Sequence, residues 1–363
     1  VFLSDPLCSG CLAPRRCRRP GSEQAGGVTL SPIEHQHWHP VAGADEVGPQ
    51  LVAALLLAQP LVLWRDTSGA IQAWADQCPH RGARLSLGRV CAGRLECPYH
   101  GWQFDASGQC VQVPALPAFT PPASHRSQVF AAREQGGLIW VCLDAAGPSS
   151  GRALPIFEAE ADAQLYKLNC GPYEVATSAG RIVENFLDMA HFGFVHEGWL
   201  GMRQLPDGVT GHATEIPSYQ VETTPQGLRA SGCRAWQPRS SVHATAAAQI
   251  DYNYEVIAPF TAVLCKVAPA HSVALPSFRE SIALFVCPLT PSSSRVWFRL
   301  AVADMAPDEA ALRDFQHTIF MQDKPVLESQ LPKTLPLAPR AELHTAADKA
   351  SVAYRRHLSQ LGI

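Results

Sequence analysis

The sequence predicts an α+β chain: an all-β domain over residues 34–145, followed by a domain of helices and strands over residues 146–363. Three observations predict it. Between residues 34 and 145, short apolar runs recur between glycine-marked turns, the pattern of short strands. Beyond residue 156, stretches with helical periodicity bracket a long alternating region. A segment rich in Gly, Pro and Ser, from Ala145 to Pro155, separates the two.

The elements follow in order. Residues 1–33 are rich in Pro, Gly, Ser, Cys and Arg, lack periodicity, and are expected to form a tail. Cys8, Cys11 and Cys17 in it have no obvious fourth ligand for a metal. Strands are expected at Leu51–Leu57, Leu61–Trp64, Ile71–Trp74, Val111–Val113, Gln128–Ala131 and Leu138–Leu143, with Pro114, Pro117, Pro121 and Pro122 marking an extended surface segment. In the second domain a helix is expected from about Ala179 to Phe194, and strands from about 209 to 303. A further helix, opened by Asp304 or Pro307, places Leu312, Phe315 and Ile319 on one face, and a last helix runs from about Thr345 to Leu361.

Composition narrows the function. The 363 residues are 47% hydrophobic, enough to bury a core in each domain, and the net charge of −3 leaves no surplus of Lys and Arg to neutralise phosphates, so no nucleic-acid partner is expected. The 12 cysteines scatter along a long chain instead of crowding a short one, which argues against a disulfide scaffold and for the reducing cytoplasm. The most apolar run, Leu51 to Trp64, contains Gln59 and Pro60 and is too short to cross a bilayer as a helix, so no membrane association is expected. No apolar stretch follows Arg15, Arg16, Arg18 and Arg19, so no export signal is expected.

One motif carries specific chemistry. Cys78-Pro-His80-Arg-Gly is followed, with sixteen residues between His80 and Cys97, by Cys97-Pro-Tyr-His100-Gly-Trp. Each half sets one thiolate and one imidazole on a short loop, with Pro79 and Pro98 stiffening it and Gly82 and Gly101 allowing a tight turn. Two such loops can hold a Rieske-type [2Fe–2S] cluster, with both cysteines on one iron and both histidines on the other. A Cys2His2 zinc site fits less well, since zinc fingers pair Cys with Cys and His with His. Cys91 and Cys110 fall outside the pattern and are read as structural thiols.

A second constellation lies more than ninety residues further on. Residues 184–196 place His191 and His196 among apolar neighbours, with Asp188 three positions before the first. On a regular helix the two rings would point about 140° apart, so they converge only if the helix ends or distorts, and Gly193 is the obvious place. Two histidines and one carboxylate make a mononuclear Fe(II) site with open positions for oxygen and substrate. Asp323 is the best carboxylate candidate: it shares a helical face with Leu312, Phe315 and Ile319, a stripe continued by Val326 and Leu327, and Pro325 would kink the helix beside it. Helical phase alone leaves open whether Asp323 faces a metal or solvent. Asp188 is assigned to accept a ring N–H from the histidine pair, with a ligand role in place of Asp323 as the alternative. Asn185 is expected to hydrogen-bond nearby.

With both motifs in hand, the chain resembles the oxygenase (alpha) components of the Rieske non-heme iron oxygenases, over roughly residues 34–363. The resemblance rests on the two cluster loops, on Asn185-Phe-Leu-Asp188-Met-Ala-His191 with His196, and on Gln322-Asp323-Lys-Pro-Val-Leu-Glu-Ser-Gln. Trp38-His-Pro-Val and the segment Ala347 to Arg356 resemble the caffeine N-demethylase oxygenases. Val195-His-Glu-Gly-Trp-Leu-Gly resembles the saxitoxin-pathway hydroxylases. Gln322 departs from several relatives, which have Glu there. The resemblance implies His191, His196 and Asp323 as iron ligands, a three-sheet Rieske domain, a helix-grip catalytic domain, and a homotrimer in which Asp188 links His191 to a neighbour's His100.

The expected activity is O2-dependent hydroxylation or oxidative demethylation of an aromatic or alkaloid-like small molecule. The chain shows neither a strand–GxGxxG–helix signature nor plant-type cluster spacing, so an external flavin/iron–sulfur reductase or ferredoxin is expected as partner. Two alternatives stay open: a cis-dihydroxylating dioxygenase, and an electron-transfer protein fused to a small-molecule-binding domain without mononuclear iron. Trp236, Tyr252, Tyr254, Phe260 and Phe285 are candidates for the substrate cavity, though strand alternation does not say which of them face it.

Overall fold

The computed structural model describes residues 33–144, 152–205, 207–239, 247–267, 279–303 and 308–363. The tail with Cys8, Cys11 and Cys17, most of the linker, and Asp304 and Pro307 lie outside these residues.

The N-terminal part holds ten strands: β1 His39–Gly43, β2 Val52–Leu56, β3 Gln59–Arg65, β4 Ile71–Ala75, β5 Arg89–Cys91, β6 Arg94–Glu96, β7 Gln103–Phe104, β8 Cys110–Gln112, β9 Val129–Gln135 and β10 Leu138–Cys142. They form the three antiparallel sheets expected: β1-β10-β9 and β9-β4-β3-β2, which share β9 and so run on as six strands, and the separate four strands β5-β6-β7-β8. The six-stranded run stays continuous because β9 pairs with β4 through Val129 and Phe130 and with β10 through the rest of its length. The short apolar runs mark β2, β3, β4, β8, β9 and β10 but miss β5, β6 and β7, whose two or three residues form no such run.

Strand β3 is buried on both faces. Leu61 and Leu63 enter one core with Trp140, Ile139 and Val141, whereas Val62 and Trp64 enter a second with Trp74, Phe104, Cys78 and Cys97. This double burial explains why the run reads as continuously apolar. It also braces the cluster loops on a rigid strand.

The C-terminal part contains β11 Tyr166–Val175, helices α1 Ala179–Leu187 and α2 Phe192–Val195, then β12 Gln220–Thr223, β13 Leu228–Gln237, β14 Ala248–Ala258, β15 Thr261–Val267, β16 Arg279–Thr290 and β17 Ser293–Val302. Helices α3 Glu309–Ser329 and α4 Lys349–Leu361 close the chain. The seven strands make one antiparallel sheet, β11-β17-β16-β15-β14-β13-β12. No strand lies between 209 and 219, and β11 was not expected: its polar residues and Gly171-Pro172 mask it, and the register shifts there between Cys170 and Tyr173.

One face of this sheet carries the core shared with α1, α3 and α4, including Ile182, Val183, Leu312, Phe320, Tyr354 and Leu358. The other face joins the N-terminal sheet, where Trp140 packs edge-on against Phe285 with centroids 5.1 Å apart. Phe285 therefore belongs to the seam between the two parts and does not reach the cavity.

The helices differ from expectation at their ends. The stretch from Ala179 stops at Leu187, and the turn α2 starts afresh after His191. Helix α3 is capped by the side chain of Asp308, which accepts from Ala311 N at 3.0 Å. It continues past Pro325 to Ser329, burying Gln316, Ile319, Phe320, Asp323 and Leu327, while Val326 is 42% exposed and is not part of the apolar stripe. The last helix is preceded by a 3-10 turn, Ala346–Asp348, capped by Thr345.

Candidate metal centres and active-site cavity

The two cluster loops are folded alike. Cys78 N donates to Ala83 O at 2.8 Å and Gly82 N to Cys78 O at 2.9 Å; Cys97 N donates to Trp102 O at 2.8 Å and Gly101 N to Cys97 O at 3.1 Å. Gly82 and Gly101 sit at φ +72° and +69°, the left-handed region in which a side chain is strained. The local sequence C-P-x-x-G thus builds two equivalent turns. Both cysteines are buried and both histidines exposed. The His80 and His100 rings lie 4.6 Å apart. Trp102 stacks on His80 at 4.4 Å and on His125 at 5.4 Å, a continuous pile of three rings.

Burial pushes the Cys78 thiol up to about 12, with Cys97 beside it. Two adjacent buried sulfurs become thiolates only against a bound cation, so this donor set fits a metal cluster.

The second constellation also converges. His191 Nε2 and His196 Nε2 are 3.2 Å apart, and Asp323 Oδ1 lies 3.5 Å from the first and 3.2 Å from the second. The expected break in the helix occurs, but at residues 188–191 and not at Gly193. Asp188 ends α1 in an extended conformation, and His191 begins the next turn. Gly193 serves a different purpose: a Cβ there would meet Thr214 Cγ2 at 2.9 Å and Met202 O at 3.1 Å, so its absence admits the neighbouring chain.

The ring orientations are held from behind. Asp188 Oδ2 accepts from His191 Nδ1 at 2.9 Å, and Gln322 Oε1 accepts from His196 Nδ1 at 2.8 Å. Both Nε2 atoms are then the ones left to bind. Burial opposes the charge on Asp188, but the His191 ring together with the Ala190 and His191 backbone N–H groups holds the carboxyl below the ordinary carboxylate value. Against the pull of its own burial, the Asp188 contact and the Asp323 charge lift His191 above the ordinary imidazole value. Asn185 Nδ2 donates to Asp323 Oδ1 at 3.4 Å, a long bond. Three lone-pair donors aimed at one point repel one another unless a cation lies between them, so this set fits a metal ion.

The three donors sit in the wall of a cavity of about 80 Å³ beneath the sheet. Phe186, Phe192, Tyr252, Tyr254, Phe298 and Phe320 line it, together with Leu200, Ile282 and Gln316. Of the five aromatic candidates, only Tyr252 and Tyr254 reach it. Trp236 and Phe260 do not, and Phe260 instead packs beside His39, with centroids 5.9 Å apart. Sequence reading missed two contributors. Gln322 shows no signal beyond its place next to Asp323. Lys266, a lysine in an alternating strand, would ordinarily face solvent, yet it lines the cavity.

Comparison with known proteins agrees with this geometry. A Rieske [2Fe-2S] domain profile matches residues 37–128, and the profile of the vanillate O-demethylase oxygenase C-terminal domain matches residues 175–362. The chain is 32% identical over 338 residues to methylxanthine N1-demethylase NdmA of Pseudomonas putida, covering 89% of this chain and 88% of that one. It is 30% identical over 342 residues to methylxanthine N3-demethylase NdmB of the same organism, covering 90% and 89%. The solved structure of Pseudomonas putida CBB5 NdmA with caffeine superposes with a TM-score of 0.74 at 30% identity, over 89% of this chain and 90% of that one.

Proposed function

This chain belongs to the Rieske non-heme iron oxygenases, terminal components that carry a [2Fe–2S] cluster and a mononuclear iron, and on that premise we propose that it removes a methyl group oxidatively from a small planar molecule. Residues 34–145 carry the cluster on Cys78, His80, Cys97 and His100. Residues 146–363 carry Fe(II) on His191, His196 and Asp323. The observation that supports this best is the convergence of those three donor atoms, 3.2–3.5 Å apart, in the wall of an aromatic cavity. Demethylation is favoured over ring dihydroxylation by the similarity to two N-demethylases across nine-tenths of the chain.

When bound, the mononuclear iron supplies the site for O2 reduction and the cluster supplies electrons singly. The chain's own residues do the rest. Asp188 and Gln322 fix the two imidazoles so that Nε2 faces the site. Asn185 steadies the Asp323 carboxylate. Phe186, Phe192 and Phe298 keep bulk water out and offer flat faces to a planar substrate. Hydroxylation of an N- or O-methyl group uses one O2, two electrons and two protons, and the product collapses to formaldehyde and the demethylated compound. The electrons come from an external NAD(P)H-dependent flavin or iron–sulfur reductase. The assembly is a homotrimer in the reducing cytoplasm, where the cluster thiolates persist.

The test is metal content and turnover of the holoprotein. About three irons per chain are expected, with formaldehyde released from methylated aromatics and alkaloids when a surrogate reductase is supplied. His191→Ala should reduce iron to about two per chain and abolish formaldehyde while keeping the red-brown cluster. Two irons in the wild type, or unchanged turnover in that variant, would overturn the reading.

A further inference from the structure

The cavity wall, otherwise apolar, carries a few polar side chains on the sheet. One cross-strand row on the inner face of the sheet runs Cys233, Tyr252, Lys266, Glu280, each opposite the next in register. Tyr252 is 1% exposed, Lys266 5% and Glu280 7%. Lys266 Nζ and Glu280 Oε2 are 2.6 Å apart. Tyr252 and Lys266 line the cavity, and Lys266 and Glu280 together also line a second cavity, beside Cys265 and Ser281. The Gln237 carboxamide, fully buried, sits beside the Tyr252 phenol. Among the described residues, neither Tyr252 Oη nor either amide atom of Gln237 has a hydrogen-bond partner of good geometry.

Buried hydroxyl and amide groups are almost always satisfied. The Tyr252 phenol, which lines the cavity without a hydrogen-bond partner of good geometry, is therefore open to a ligand, with the Gln237 carboxamide beside it. Burial keeps the Tyr252 phenol protonated, so it is a donor. The charge pattern narrows the ligand further. Lys266 is already neutralised by Glu280, so a substrate carboxylate arriving there would set two anions against one cation in a dry site. A neutral carbonyl meets no such penalty: it accepts from Tyr252 and Lys266 and leaves the ion pair intact.

We propose that Tyr252, Gln237 and the Lys266–Glu280 pair form a recognition wall that selects neutral, carbonyl-bearing heteroaromatic substrates, lactams or imides, over aromatic carboxylates. This rests on the oxygenase reading above, since it concerns the same cavity. It adds specificity residues that neither metal site requires.

The experiment is calorimetric binding to the iron-loaded holoprotein, which reads no turnover. The neutral probes are caffeine, theophylline and 1-methyl-2-pyridone; the anionic probes are 3-methoxybenzoate, vanillate and dicamba. The tightest neutral probe should bind at least about tenfold more tightly than the tightest anion, in keeping with the cost of an uncompensated buried charge. Tyr252→Phe should weaken the neutral probe about fivefold to tenfold, the loss of one hydrogen bond. Glu280→Gln frees the lysine charge and should shift the preference toward the anions by about tenfold or more. The paired replacement Lys266→Met/Glu280→Leu keeps the volume apolar, guards against a variant that merely unfolds, and should erase the discrimination between the two classes. A wild type that prefers an anion, or binds none of the neutral probes, overturns the proposal, as does a Glu280→Gln variant with an unchanged ratio. Iron content and formaldehyde release are read on the same samples. If they hold while selectivity fails, the recognition wall is wrong and the oxygenase reading stands.

Discussion

Asp188 uses its two oxygens for different purposes. Oδ1 accepts from Ala190 N at 2.8 Å and forms the turn that ends α1, while Oδ2 holds His191 Nδ1 at 2.9 Å. An asparagine can replace only one of these acceptors, because its NH2 group cannot accept from a ring N–H. Asp188→Asn is therefore expected to weaken mononuclear iron retention by about tenfold to a hundredfold, the usual cost of losing a partner behind a ligand. Iron counted after dialysis against a chelator measures this, and the cluster's EPR signal should be unchanged. Gln322→Glu should act in the opposite direction, since a carboxylate behind His196 makes that ring a stronger donor; slower loss of iron to the same chelator checks it. Asp188, His191 and His196 are legible in the sequence because three such residues within nine positions are rarely coincidental. Gln322 and Lys266 are not. Their roles depend on a contact between α3 and α2, or on the inward face of β15, and no local pattern encodes either.

The turn between β2 and β3 contains no glycine, yet Leu57 and Ala58 adopt φ +51° and +60°. Such backbone costs a residue with a Cβ about 1–2 kcal/mol. It is held because Leu57 N donates to Pro288 O at 2.8 Å and Ala58 N to Leu289 O at 2.7 Å, stapling the hairpin to β16. Ala58→Gly relieves the strain, keeps both main-chain bonds, and should stabilise the protein by about 0.5–1 kcal/mol after the added chain entropy of glycine. A denaturant midpoint that falls would refute the strain argument. A second element-level feature is the ion network joining α1 to α4. Arg181 Nη2 is 2.6 Å from Glu342 Oε1, and Arg355 Nε is 2.5 Å from Glu184 Oε1 while its Nη2 is 2.5 Å from Glu342 Oε2. Arg181 first, then Arg355, hold the Glu342 carboxyl down to about 2. A depressed carboxyl adds stability above its unfolded value, 4.5, and loses it as pH falls toward 2. Glu342→Gln should therefore flatten the loss of stability over that range, as read from denaturant midpoints at several pH values. Elements with a clean period, α3 and α4, or an unbroken apolar run, β3, were legible. Those shaped by partners were not: β11 hides behind its bulge, and the end of α1 is set by the Asp188 turn.

At the scale of the whole molecule, electrons must travel from the cluster to the mononuclear iron, and both ends of that route lie at the surface. His80 and His100 are exposed on the cluster loops, and Asp188, which holds His191, keeps 27% of its side chain accessible. Among the described residues no hydrogen bond joins His100 to the C-terminal part of its own chain. These positions suit transfer between subunits, from one chain's His100 through another's Asp188 to His191, as the proposed homotrimer requires. The arrangement is testable by complementation. Cys97→Ser subunits lack a cluster but keep the iron site; His191→Ala subunits keep the cluster but lack the iron site. Neither alone should turn over substrate. If transfer runs within a chain, mixing them restores nothing. If it runs one way around a closed ring, every mixed trimer contains one competent donor beside one competent acceptor. Isolation by two different tags keeps only mixed trimers, each with one working junction of three, so activity should return to roughly a third of the wild-type value for a threefold ring. The measurement is formaldehyde release after the two variants are co-expressed and isolated by two different tags. Size-exclusion with light scattering checks the ring itself, and a monomer that turns over substrate would remove the need for a neighbour's cluster.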